Sequence, residues 1–246
     1  MRKRVWAAIV FAALAGTTVF WAPWASSAPS SNTSACGTTY APVLDPANFV
    51  AAVDNPYFPL PVGRKLVYSG VKDGQTQTDT VTVTDQKRVI LGIQTTVVND
   101  VATHDGTVLE RTFDDYAQDG QGNVWYLGED TTHFLPNGRA DTSGSFVAGV
   151  DGAQPGIIME ATPRIADAYR QECYAGQAED TAWVVGTSGS VRVPYGMVRN
   201  VLTTLEATQI EPGAYDQKTY GPGVGILTEQ SLTGPNEFAQ LVSVSG

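Results

Sequence analysis

Cysteine and histidine are almost missing from this chain, with two of each in 246 residues. Two imidazoles, His104 and His133, are too few for a transition-metal centre without a set of converging carboxylates. No metal site and no cofactor are expected. Charged residues make up only 16% of the sequence, and basic ones are the scarcer kind, 15 against 25 acidic. An acidic surface repels DNA, RNA and anionic lipid headgroups, so nucleic acid is excluded as a partner. No long segment carries helical periodicity, and beyond the N-terminus no apolar run is long enough to anchor a membrane. Gly186 to Ser190 is no nucleophile elbow, and Gly221 to Gly225 lacks the Lys-Ser/Thr ending of a phosphate loop.

The N-terminus does carry a pattern. Arg2, Lys3 and Arg4 precede an apolar stretch from Trp6 to Phe20, and small residues follow at Ala25 to Ala28. This is the layout of a secretory signal, with cleavage expected after Ser27 and a secreted, extracytoplasmic product. Thr33 stands where a lipoprotein box would need an aliphatic residue, so lipid attachment at Cys36 is not expected. Removing the leader takes away three basic residues and no acidic one. In an oxidising compartment Cys36 and Cys173 read as one disulfide. Closing so long a loop is worth roughly 4–5 kcal/mol on the chain-entropy model.

The expected layout is a signal peptide over 1–27, an extended arm over 28–44 and a single β domain over 45–246. Asp45-Pro46 offers an N-cap and a first-turn proline for a short helix over Asn48 to Val53. Three prolines between Asn55 and Pro61 fix an extended path, and the Tyr57-Phe58 pair should plug one end of a core. From Lys65 the sequence alternates apolar and polar residues between turn signals. One strand is expected over Val89 to Val101 and another over Arg170 to Ala175. A Gly/Pro-rich excursion is expected over 136–168. Val89, Gly92, Val97 and Tyr116 also match Val193, Gly196, Val201 and Tyr220 at a constant offset, hinting at a duplicated unit. The fold class is therefore all-β: a strongly curved antiparallel sheet or half-open barrel.

Four segments occur in order: Asn55-Pro56-Tyr57-Phe58-Pro59-Leu60, Tyr116-Ala117-Gln118-Asp119 with Gly122-Asn123-Val124-Trp125-Tyr126, Val193-Pro194-Tyr195-Gly196, and Gly221-Pro222-Gly223-Val224-Gly225. Together they resemble a family of uncharacterised exported bacterial β-proteins similar to the TapB-like group. That resemblance implies a curved sheet like those of the lipoprotein carriers LolA and LolB, and with it a pocket for something apolar. It brings no established activity.

Three functions follow as expectations. The first is a secreted binding protein that holds a small apolar or amphipathic ligand in its concave face. Tyr57, Phe58, Tyr116, Trp125, Tyr126 and Trp183 would form its walls and Arg170 its polar anchor. The second is a secreted carbohydrate-active enzyme using Glu110, Asp114 and Glu129, since two carboxyl groups flanking a glycosidic bond can act as acid and base. The third is a structural or inhibitory surface protein. Arg170 and Glu172 are also expected to pair with each other. Asp119 to Asn123 reads as a turn rather than a calcium loop, because position and flanks fail the helix–loop–helix pattern.

Overall fold

The computed structural model describes residues 40–246 except Asp73 and Pro235. The leader, most of the arm and Cys36 lie outside the described residues. Within them the polypeptide is almost wholly extended. A single 3-10 turn at Pro46–Asn48, capped by Asp45 through the Ala47 N–H, replaces the expected helix. The chain straightens at Phe49 because strand β1 (Phe49–Val50) pairs with a neighbour and takes the backbone groups a helix would need.

Nineteen strands follow. The first half holds β2 (Lys65–Lys72), β3 (Gln75–Val83), β4 (Val89–Ile90), β5 (Ile93–Gln94), β6 (Thr96–His104), β7 (Thr107–Asp119) and β8 (Val124–Phe134). The middle holds β9 (Ala140–Asp141), β10 (Phe146–Val147), β11 (Gln154–Met159), β12 (Ala168–Arg170) and β13 (Glu172–Cys173). The last part holds β14 (Asp180–Gly186), β15 (Ser190–Val193), β16 (Gly196–Arg199), β17 (Leu202–Thr208), β18 (Tyr215–Gly221), β19 (Gly225–Ser231) and β20 (Glu237–Ser245).

One antiparallel sheet runs in the order β12-β14-β17-β18-β19-β20-β2-β3-β6-β7-β8-β11-β13 and curls nearly into a barrel. Its two ends meet at a seam. There the Gln171 N–H donates to the Asp180 carbonyl and the Asp180 N–H to the Glu172 carboxylate. Cys173 is buried at this seam and is not a free thiol. Its expected partner, Cys36, lies outside the described residues.

Three sequence expectations are corrected. Val89 to Val101 is not one strand: Leu91 and Gly92 both take positive φ and fold β4 onto β5. Leucine gives no turn signal, and Gly92 alone marks the hairpin in the sequence. The 136–168 segment is not a free excursion, because β11 inside it pairs with both β8 and β13. The strand expected over Arg170 to Ala175 breaks at Gln171 into β12 and β13, which lie on opposite sides of the seam. The offset copies, by contrast, hold corresponding parts. A small hairpin (β4–β5, β15–β16) precedes a longer antiparallel pair in each, and Tyr116 and Tyr220 are both fully buried.

One end of the barrel is apolar and plugged. Phe58 lies edge-on to Tyr116, which stacks on Tyr126, which meets Phe146 edge-on. Such pairs add about 0.5–1.5 kcal/mol beyond the area they bury. The segments that carry the family resemblance converge on this plug. Asn55 Nδ2 donates to the carbonyls of Gly122 and Glu160, Gln118 Oε1 accepts from the N–H groups of Asp54 and Asn55, and the Gly223 N–H donates to Pro56. Tyr195 N–H closes onto the Leu241 carbonyl. These residues hold the barrel shut.

Gly156 on β11 sits so close to the Arg170 and Gln171 backbone that an added Cβ would collide with their carbonyls. Because those atoms are backbone, neither can step aside. Gly156→Ala should cost at least about 2 kcal/mol in urea unfolding, as strain or as an opened seam. An unchanged midpoint would show that the seam is looser than described.

Candidate functional site

Alternation carries a row of side chains from every long strand into the barrel. Toward the plug these are apolar: Leu66, Val83, Val98, Val124, Val184, Leu202 and Leu241. Toward the other end they are carboxyl groups. Asp79 comes from β3, Asp100 from β6, Glu110 and Asp114 from β7, Glu129 from β8, Glu172 from β13, Asp180 from β14, Glu206 from β17 and Glu229 from β19. All are buried. Few cations accompany them: Lys218 lies 2.8 Å from Glu206, Lys72 lies 3.2 Å from Glu237, and His133 Nδ1 lies 2.6 Å from Glu110.

An interior with so many more acids than bases cannot keep them all ionised. Asp114 and Glu129 face each other across β7 and β8. The Tyr126 hydroxyl lies 2.5 Å from Asp114 Oδ1 and 2.9 Å from Glu129 Oε2. A phenol has one proton to donate, so at least one of these carboxyls must carry its own. Burial drives both acids well above the usual carboxylate range, each reinforced by the other nearby acids, against the opposing Tyr126 hydrogen bond. Asp79 and Asp100 form a second buried acid pair, on adjacent strands. Burial lifts Asp79 to about 6 and Asp100 well above its ordinary value. At the seam burial lifts Asp180 to about 7 and Glu172 well above its ordinary value.

The three acid/base candidates, Glu110, Asp114 and Glu129, are therefore brought together, as neighbours on two paired strands. The Tyr126 phenol fills the space between Asp114 and Glu129, and Thr112 and Thr131 bond to each other beside Glu110. No room for a sugar ring is left between them. The aromatic candidates divide. Phe58, Tyr116 and Tyr126 are core side chains packed on one another. Tyr57 is half-buried with its hydroxyl on the Asn200 carbonyl. Trp125 lies on the outer face over a small second core, and its Nε1–H donates to Asp119 Oδ2. Asp119 also accepts from Asn123 Nδ2 and from the Gln121 and Asn123 N–H groups, and these bonds outweigh burial and hold its pKa low. Its lone pairs are thus spent inside the turn.

Arg170 and Trp183 end up together, on the outside of the barrel. The register aligns Arg170, Thr181, Ala207 and Tyr215 in one row across four strands, with Trp183 in the next row beside Ala168. A groove of about 660 Å³ runs over them, lined also by Gln209 and Pro212. Arg170 does not pair with Glu172 as expected, because the chain turns between them and Glu172 points to the seam. The guanidinium forms no ion pair or hydrogen bond among the described residues; the Tyr40 ring covers one side of it, 5.5 Å away. Sequence reasoning named Arg170 and Trp183 but not Thr181, Gln209 or Tyr215, whose neighbourhood depends on cross-strand register. Among the described residues no group of three or more His, Cys, Asp or Glu side chains is placed to hold a metal ion.

The buried acids set the pH dependence of stability. A carboxyl whose pKa is raised in the folded state binds more protons there than in the unfolded chain, so stability falls as pH rises from its ordinary pKa to its folded one. With Asp79 near 6 and Asp180 near 7, that window lies between about pH 4 and pH 7. Unfolding free energy should drop by at least about 1.4 kcal/mol, the equivalent of one pKa unit, between about pH 5 and about pH 8. A chemical denaturation series checks this. Stability that rises over that range would contradict it.

No family model and no curated protein matches the chain. Two solved structures are similar to it in shape. One is a candidate exported protein with a YmcC-like fold from Bacteroides fragilis NCTC 9343, at 13% identity and TM-score 0.46, spanning 77% of this chain and 99% of its own. The other is a candidate lipoprotein from Parabacteroides distasonis ATCC 8503, at 11% identity and TM-score 0.41, spanning 78% and 100%. Likeness at this level assigns neither function nor compartment to the present chain.

Proposed function

We propose that the protein is an exported binding protein whose ligand, carrying an anionic group, lies in the outer groove of the barrel. The observation that carries this reading is Arg170. In a chain of net charge −10, a half-buried guanidinium without an acidic partner among the described residues is out of keeping with its surroundings. A cation kept partly out of water costs free energy until an anion meets it. The neighbouring Trp183 and Tyr215 rings offer flat apolar surface beside that charge, the usual make-up of a small-molecule site.

This reading moves the ligand from the concave face to the outside. The inward aromatic and apolar side chains pack on one another, with Tyr116, Tyr126 and Leu227 at 0% exposure. The enzyme reading has no observation in its favour, since its carboxyl groups are buried around a phenol. Export is supported by the charged, apolar and small-residue sections of the first 27 residues. A Cys36–Cys173 disulfide fits the absence of a free thiol at Cys173.

Native mass spectrometry of the protein purified from culture medium tests the binding reading. A small-molecule adduct is expected in the wild type and should be lost in Arg170→Gln and in Trp183→Ala. A bare wild-type mass, or an adduct retained in both variants, would overturn it. The same sample should react with a thiol reagent only after reduction; labelling without reductant would remove the disulfide.

A further inference from the structure

The groove also limits what kind of anion it can take. Several of its lining groups have hydrogen-bonding capacity that the protein does not use. Among the described residues, the Thr181 hydroxyl, the Gln209 amide, the Trp183 indole N–H and the Tyr215 hydroxyl form no internal hydrogen bond. All four belong to residues that line the hollow with Arg170. Thr181 and Trp183 alternate outward on β14, whose inward residues Asp180, Ala182 and Val184 are buried. Ala207 stands in the row between Thr181 and Tyr215, so a small side chain lies between the guanidinium and the Tyr215 ring. Adjacent strands are about 4.8 Å apart, so the row from Arg170 to Tyr215 spans roughly 14 Å.

A fatty acid would satisfy Arg170 but would cover four polar groups with hydrocarbon, at a cost for each one desolvated unpaired. A bare inorganic anion would use the guanidinium and leave the rings and the length of the groove empty. A chain of pyranose rings carrying carboxylates matches all three features. Ring faces stack on Trp183 and Tyr215, hydroxyls exchange hydrogen bonds with Thr181 and Gln209, and a carboxylate takes the guanidinium in a two-pronged pair.

We infer that the Arg170–Trp183 groove binds an acidic saccharide of the uronic-acid class. This rests on the outer-groove reading above and narrows it. The test uses the protein expressed with its own leader and titrated calorimetrically with three probes: trigalacturonate, its fully methyl-esterified and therefore uncharged form, and octanoate. Trigalacturonate should bind at least about tenfold more tightly than the ester, and Arg170→Gln should erase that difference while leaving the ester unaffected. Thr181→Val should weaken both sugars and leave octanoate unchanged. Equal binding of acid and ester, insensitive to Arg170→Gln, would overturn the acidic assignment. Octanoate binding more tightly than trigalacturonate, in an Arg170-dependent way, would overturn the saccharide class but leave the groove as the site. Failure of all three probes, in a protein whose circular dichroism shows the native β-fold, would overturn this assignment; the adduct measurement separately decides whether the groove binds anything.

Discussion

Tyr126 stands between Asp114 and Glu129 with one proton to offer two carboxyl groups. That small shortage is repeated throughout the barrel. Asp79 and Asp100 are buried on adjacent strands, where burial raises both, and Glu172 and Asp180 meet at the seam where the sheet nearly closes on itself. A buried carboxylate is stable only when paired, hydrogen-bonded or neutralised by protonation. Lys218 and Lys72 neutralise some of these acids, and bound protons must neutralise others. The barrel therefore has two unlike halves: an apolar one plugged by Phe58, and a polar one crowded with buried carboxyl groups.

Much of the fold was readable in the residues. Alternating β-branched and polar residues from Lys65 onward give a curved antiparallel sheet, and the Asn55-Pro56-Tyr57-Phe58 segment gives its plug. What escaped has physical causes. Leu91-Gly92 forms a turn with a residue type that seldom takes positive φ. Asp45-Pro46 is a sound helix start, yet tertiary pairing of Phe49 and Val50 with β7 took the chain away after one turn. Strand β11 hid inside a Gly/Pro-rich segment because its partners are distant in sequence.

The candidate site was half readable. Alternation placed Glu110, Asp114 and Tyr116 on one face, which is correct, but it cannot say which face is the inside. Charged residues ordinarily turn outward, and here they turn in. Arg170 and Trp183 were singled out separately, and only register shows them as neighbours. The aromatic residues that looked most like a binding wall, Phe58, Tyr116 and Tyr126, are spent on holding the core together. On the outer face, Arg170 has no ionic or hydrogen-bonding partner among the described residues, and the rings of Trp183 and Tyr215 flank small residues. The inner face supplies a rigid frame, and the outer face presents chemistry that the frame does not use.

The central claim is that the barrel interior holds protonated carboxyl groups at neutral pH. Infrared spectroscopy of the folded protein in heavy water reads this directly, because a carboxylic acid C=O stretch is separate from the carboxylate bands. The account predicts a carboxylic-acid band that persists at neutral pH, weakens in Asp114→Asn, and disappears on unfolding at the same pH. A neutral-pH spectrum with carboxylate bands alone, identical in folded and unfolded protein, would contradict it.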